Sequence, residues 1–149
     1  RTNRWLKKGE LDQGLRETIL AVEEPQEWIL ITEPWCGDAA HSVPFIAMAA
    51  ALNPAISLQI ELRDQPPFSI EQYLTNGGKS IPKLIIRNRQ GEDLAVWGPR
   101  PEAAQEQFEQ LKTMGKTFDE QKEVLQRWYN ADKGQSIQQE LSTMIRLVL

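Results

Sequence analysis

The sequence predicts a small α/β sandwich, and three features carry that reading. A short unbroken apolar run, Trp28-Ile29-Leu30-Ile31, has the length and branching of a strand buried on both faces. A helix-length segment follows it and leads to Ile56, Leu58, Ile60 and Leu62, which alternate with polar residues in the period of a second strand. Two further strand-like segments then flank Asn88-Arg89-Gln90-Gly91, a hairpin turn. A buried strand, a βαβ unit and a terminal hairpin need helices on the sheet faces.

The elements follow in order. Leu11, Leu15, Ile19 and Val22 share one helical face, which predicts an amphipathic helix over residues 9–23, ended by Pro25. The Ile29 strand turns through Glu33-Pro34-Trp35-Cys36-Gly37-Asp38 into a helix over about residues 36–52. Pro44 predicts a kink in it, and Asn53-Pro54 stops it. The alternation over residues 56–63 leaves one greasy face, as expected at a sheet edge. Pro66-Pro67 opens a short helix carrying Phe68, Tyr73 and Leu74, closed by Asn76-Gly77-Gly78.

Residues 83–87 read as an apolar strand, and residues 93–97 return antiparallel. Pro101 starts a helix over residues 101–114, with Phe108 and Leu111 inward. Thr117-x-x-Glu120 and Ser136-x-x-Gln139 have the pattern of capping boxes and predict two closing helices. Their apolar faces hold Phe118, Leu125 and Trp128, and then Ile137, Leu141, Met144 and Val148.

Composition removes several function classes. The 149 residues suit one domain, and 40% hydrophobic with 26% charged residues is the balance of a folded globular chain. One cysteine, Cys36, closes no intrachain disulfide, and with one histidine, His41, it supplies no four-ligand zinc site. No carboxylates are spaced as a metal-ligand set, so no metal is expected. A net charge of −4 without a basic stripe argues against nucleic acid. The longest apolar run, residues 43–52, contains Pro44 and is far short of a membrane span. No secretory pattern opens the sequence, which begins at Arg1, and a lone free thiol fits a reducing cytoplasm.

Cys36 holds the chemical interest. It follows a buried strand and precedes a helix, where unpaired N–H groups and the dipole favour thiolate. A small buried cysteine without chemistry reads equally well from position alone. Asp38 suits a helix start, yet its charge beside Cys36 opposes thiolate formation, and Glu33 adds to that. His41 lies five positions on, about 140° round the helix, and reads as an exposed histidine that makes no pair with Cys36.

At these residues the sequence resembles the thioredoxin family. Trp35-Cys36-Gly37-Asp38-Ala39 is similar to the family's Trp-Cys-Gly-Pro-Cys motif. Pro44 follows Cys36 by eight residues, as the family's helix-kinking proline does. Ser80-Ile81-Pro82 precedes an apolar strand and hairpin, like the family's cis-proline segment, and Gly98 follows the last strand. The Trp-Cys-Gly-Asp-Ala form and Trp97-Gly98-Pro99-Arg100-Pro101 resemble a bacterial subgroup of such proteins. The departures are specific. Ala39 stands where the resolving cysteine would be, and Leu30 stands where the family has a buried, proton-handling Asp. Dithiol reduction by this chain alone is thereby excluded, while thiolate attack on a disulfide is not.

The resemblance implies a thioredoxin-like three-layer sandwich over residues 1–115, with its core at about 26–114. An N-terminal helix replaces the usual first strand, and residues 116–149 form a helical extension packed on the same domain or on a partner. Pro82 should be cis, exposing the Ile81 backbone beside Cys36 to an extended peptide or thiol ligand. Trp35 and Trp97 are expected to line the groove, and Trp5, Trp28 and Trp128 to be core or docking residues. Arg63, Lys79 and Arg100 are candidate substrate contacts or solvated charges. The leading expectation is a monothiol thioredoxin-family protein, monomer or homodimer. Its Cys36 exchanges with a disulfide-containing protein or small thiol, and an external low-molecular-weight thiol resolves it, with no other cofactor. The alternative is a non-catalytic peptide- or protein-binding module. A glutathione-bridged iron–sulfur carrier fits less well, because Asp38-Ala39 replaces the usual Phe-Ser. A peroxiredoxin does not fit, because Thr32 is four residues before the cysteine and not three.

Overall fold

The computed structural model describes residues 11–149, so Trp5 and the start of the first predicted helix lie outside the described residues. Strand β1 (Gln26–Thr32) pairs parallel with β2 (Ile56–Leu62) and antiparallel with β3 (Lys83–Arg87). Strand β4 (Asp93–Trp97) pairs antiparallel with β3, giving the order β2-β1-β3-β4. Among the described residues the helices are α1 (Gln13–Leu20), α2 (Gly37–Ala51), α3 (Glu102–Thr113), α4 (Phe118–Asp132) and α5 (Gln135–Arg146).

Strand alternation distributes the core. Trp28 and Leu30 of β1, with Leu84 and Ile86 of β3, join Leu15, Ile19, Phe45 and Ile46 in the larger cluster beneath α1, α2 and α5. Ile29, Ile31 and Ile85 face the other way and pack with Ile70 and Ile81. Both faces of the central strands are therefore covered, which is why Trp28-Ile29-Leu30-Ile31 reads as an unbroken apolar run. The fold is a thioredoxin-like α/β sandwich with helical extensions.

Strand β2 is a sheet edge. Its greasy face is covered only at the start: the large cluster reaches Leu58, and Ile60 is 52% exposed. The predicted helix after Pro67 is a single 3-10 turn, Ser69–Gln72, because Phe68 before it adopts a left-handed φ of 56° that no helix continues. Phe68 and Leu74 are exposed there, and Ile70 carries the burial.

The capping box at Thr117 forms with both reciprocal bonds to Glu120. The one predicted at Ser136 does not. Helix α5 is capped two residues earlier, from Gly134 at φ 78°, and Ser136 bonds back to Asp132. A Cβ at Gly134 would lie 2.1 Å from the Phe45 ring, so that close approach requires glycine. Phe118 also departs from its expected inward role, being 70% exposed at the first position of α4, while Leu125 and Tyr129 carry the buried face.

The closing helices pack on the sandwich. Ile137, Leu141 and Ile145 of α5 enter the large cluster, Ser142 Oγ and Thr18 Oγ1 share a hydrogen bond of 3.0 Å, and the Asp12 N–H donates to Gln138 at 2.7 Å. Helix α4 runs beside α3 and over one side of α2, and this places it at the cysteine.

Candidate functional site

Cys36 is the N-cap of α2. Its sulfur accepts from the Ala39 N–H at 3.4 Å and donates to the Ile81 carbonyl at 3.4 Å. The Ile81–Pro82 peptide is cis. Gly98, at φ 118°, lies against this segment so closely that a Cβ would stand 2.2 Å from the Pro82 carbonyl oxygen. Lys83 secures the same corner: its ammonium donates to Thr75 Oγ1 and to the Gly98 carbonyl, and burial pushes its pKa down.

The neighbouring charges are arranged inward. Arg100 grips Asp38 with Nε at 3.2 Å and Nη2 at 2.9 Å, and both side chains are largely buried. Its third nitrogen, Nη1, donates to Gln105 at 2.8 Å, and the guanidinium lies 4.3 Å above the Phe108 ring. Tyr129 Oη donates to the same Asp38 carboxylate. Arg100 is thus not a solvated surface charge. One N–H on each of its three nitrogens is engaged by Asp38 or Gln105, and Asp38 is far more than a helix-start residue.

His41 is also corrected. It is 5% exposed, its ring stacks on Tyr129 with centroids 4.4 Å apart, and Nε2 shares a hydrogen bond of 3.1 Å with Gln126 Oε1. An amphipathic reading of α2 alone leaves His41 facing outward, and α4 is what covers it. Trp97 leaves the groove for a different reason. It pairs with Leu84 across the ladder and so shares that residue's face, the large cluster. Its Nε1 donates to Glu140 of α5 at 2.8 Å.

Trp35 is 64% exposed, with the Arg63 guanidinium 4.9 Å over its ring. Arg63 is paired with Asp64 and donates to the Lys79 carbonyl, while the Lys79 ammonium turns away to Glu71 at 3.7 Å. Trp28 is fully buried, and Trp128 is half-buried, edge-on to Tyr129.

A cleft of about 530 Å³ opens at the sulfur. Trp35, Cys36 and Ile81 line it from the cysteine motif and the Pro82 segment. Phe118, Leu125, Gln126 and Tyr129 of α4 line it as well, with Phe108 of α3. None of these helical residues was singled out from the sequence as a site residue. The Leu125–Tyr129 pair at helical spacing marks a buried face, but nothing in the spacing says that the face meets a cysteine.

The electrostatics leave the thiol less acidic than an ordinary cysteine. Burial pushes the Cys36 pKa up, and the Asp38 charge adds to this. The Ala39 and Asp38 N–H groups and Arg100 oppose it without overcoming it. Burial, followed by the Asp38 charge, also pushes Tyr129 well up, so it stays a protonated donor. Among the described residues, no three metal-ligating side chains converge. No helix among them is long and apolar enough to cross a membrane.

Comparison with known proteins agrees with this architecture. Residues 1–113 match a family model described as thioredoxin. No curated protein matches the chain. Among solved structures, a protein of unknown function from Pseudomonas aeruginosa aligns over 100% of this chain and 82% of its own, at 18% identity and a TM-score of 0.70. An HIV epitope scaffold aligns over the same shares, at 18% identity and a TM-score of 0.69. At that identity the likeness is one of fold.

Proposed function

The chain belongs to the thioredoxin family, and from that premise we propose that it is a monothiol member whose Cys36 performs thiol–disulfide exchange. The observation that carries this reading is the setting of the sulfur at the first turn of α2, between the Ala39 N–H and the Ile81 carbonyl, on a cleft large enough for a ligand. Trp35, Gly37, Asp38, Ala39, Ile81, Pro82 and Gly98 frame that setting.

In the first step the Cys36 thiol gives its proton to solvent. The thiolate attacks one sulfur of a disulfide, forms a mixed disulfide, and expels the other sulfur as a thiolate. The Ala39 N–H and the helix dipole support the negative sulfur. In the second step an external thiolate attacks the mixed disulfide, leaves with the bound half as a new disulfide, and returns Cys36 as thiolate. The resolving thiol comes from outside, because the sequence holds one cysteine and Ala39 fills the partner position. The reading entails a reducing compartment and treats residues 116–149 as an extension of the 1–115 domain. Incubation with glutathione disulfide near neutral pH, followed by intact-mass spectrometry, tests it. A glutathione adduct on the native protein, absent from Cys36→Ser and released by added thiol, is expected. No adduct sinks the reading.

The upward push on the Cys36 thiol favours a second reading, a non-catalytic binding module in which the cleft holds its ligand without reaction. Unchanged biological activity in Cys36→Ser supports that reading, and lost activity supports thiol chemistry.

A further inference from the structure

The helical lining at the cysteine narrows what the cleft accepts. We propose that the cleft beside Cys36 takes a low-molecular-weight anionic compound with an aromatic or aliphatic body, an inference that rests on the exchange reading for its reacting atom and names its substrate class.

Three observations converge on it. The first is size and lining. About 530 Å³ lies in the range of roughly 300–1,000 Å³ typical of small-molecule sites. Residues of α4 line the cleft together with Trp35, Cys36 and Ile81, so a ligand at the sulfur also meets that helix. The second is apolar surface left uncovered. Trp35 and Phe118, which both line the cleft, are 64% and 70% exposed, an unusual state for two large aromatics sharing one cleft. An apolar body in the cleft would cover exposed aromatic surface that water now meets.

The third is charge. The chain carries a net −4, yet the cleft is lined by four cations, Arg63, Arg100, Lys122 and Arg127, against two anions, Asp38 and Glu123. Arg100 is spent on Asp38, Arg127 on Glu123, and Arg63 on Asp64. Lys122 makes no ion pair among the described residues, and its ammonium stands 5.2 Å from the Phe118 ring centre. The ammonium already rests against that ring as a cation–π pair, and an anion carried into the cleft on an apolar body would supply the ion pair that it lacks.

Two measurements test the proposal and separate it from the exchange reading. In the first, Cys36→Ser protein is titrated with anilinonaphthalene sulfonate, an aromatic anion that makes no thiol bond. Saturable binding is expected, weakened roughly fivefold by Lys122→Glu, the scale of reversing one charge about 8 Å from a ligand in a watery rim. Phe118→Ser should weaken it as well. Both positions are exposed, so neither change threatens the fold. No saturable binding, or equal binding in both variants, overturns the proposal whatever Cys36 does. In the second, the native protein reacts with dianionic dithiobis(nitrobenzoate) and with dicationic cystamine. The ratio of the two rates should exceed that of the same protein in denaturant and fall in Lys122→Glu. An unchanged ratio overturns the proposed substrate class. A protein that binds the sulfonate but reacts with neither disulfide loses the exchange reading alone.

Discussion

Tyr129 donates its hydroxyl hydrogen bond to Asp38, 91 positions earlier in the chain and two residues from the only cysteine. Arg100 reaches the same carboxylate from the end of the β-hairpin segment. One residue of the cysteine motif is therefore held by α4 and by the chain leading into α3. The closing helices are part of the site's construction, since Tyr129 also presents the face on which His41 stacks.

The Tyr129 bond should count toward stability. It is a buried hydrogen bond to a charged acceptor, a type worth about 1.5–3 kcal/mol. Tyr129→Phe keeps the ring and its stacking on His41 while deleting the donor. Urea denaturation should show a loss in that range. An unchanged midpoint would mean that the hydroxyl is dispensable and that packing alone holds α4 in place.

Asp38 and Arg100 should move the Cys36 thiol in opposite directions. The Asp38 charge raises its pKa and the Arg100 charge lowers it. Asp38→Asn should make Cys36 more acidic, and Arg100→Met should make it less so. The rate of alkylation by iodoacetamide against pH reads both. Shifts of the same sign, or none, would show that burial governs the sulfur without help from the pair.

Stability should decline in alkali through the same residues. Cys36 and Tyr129 both have folded pKa values above their ordinary ones. Such a group stabilises the fold fully below its unfolded pKa, about 8.5 for cysteine and about 10 for tyrosine, and the contribution is lost as pH rises toward the folded value. Lys83, whose pKa is depressed by burial, contributes in the opposite sense over the alkaline range. Native protein should lose unfolding free energy above pH of about 8.5 more steeply than Cys36→Ser. Parallel curves for the two would remove Cys36 from the linkage.

Strand patterns and site composition were not equally legible in the sequence. Trp28-Ile29-Leu30-Ile31 announced a doubly covered strand because burial on both faces leaves no polar position, and the alternation beginning at Ile56 announced an edge. The cysteine motif, Pro82 and Gly98 stand out as a group only through their resemblance to the thioredoxin family. Tyr129, Gln126 and Phe118 do not stand out. Amphipathic spacing tells which face of α4 is apolar, and the direction of that helix over α2 is a tertiary outcome. The surroundings of Arg100 and Trp97 are hidden for a related reason. An arginine near a groove looks alike in sequence whether its partner is a substrate or Asp38, and the face of Trp97 depends on its register with Leu84.

Gly98 should be the most sensitive backbone position at the site. Its φ of 118° strains any L-residue, and a Cβ there would stand 2.2 Å from the Pro82 carbonyl oxygen and 3.2 Å from the Lys83 Cα. Both are backbone atoms that cannot rotate aside, and Lys83 already ties the two segments together through the Gly98 carbonyl. Gly91 provides the comparison, with a φ of 79° but nothing within 4 Å of the added atom. Gly91→Ala should cost only the conformational strain, about 1–2 kcal/mol. Gly98→Ala adds the forced separation of β4's end from the Pro82 segment and should cost at least about 3 kcal/mol, within the range of severe overpacking and strain. It should also slow disulfide reaction at Cys36, whose sulfur bonds the Ile81 carbonyl in that same segment. Urea denaturation of both variants, with alkylation rates for each, measures the difference. Equal losses for the two would mean that the Pro82 segment yields freely, and the rigid corner beside the sulfur would have to be abandoned.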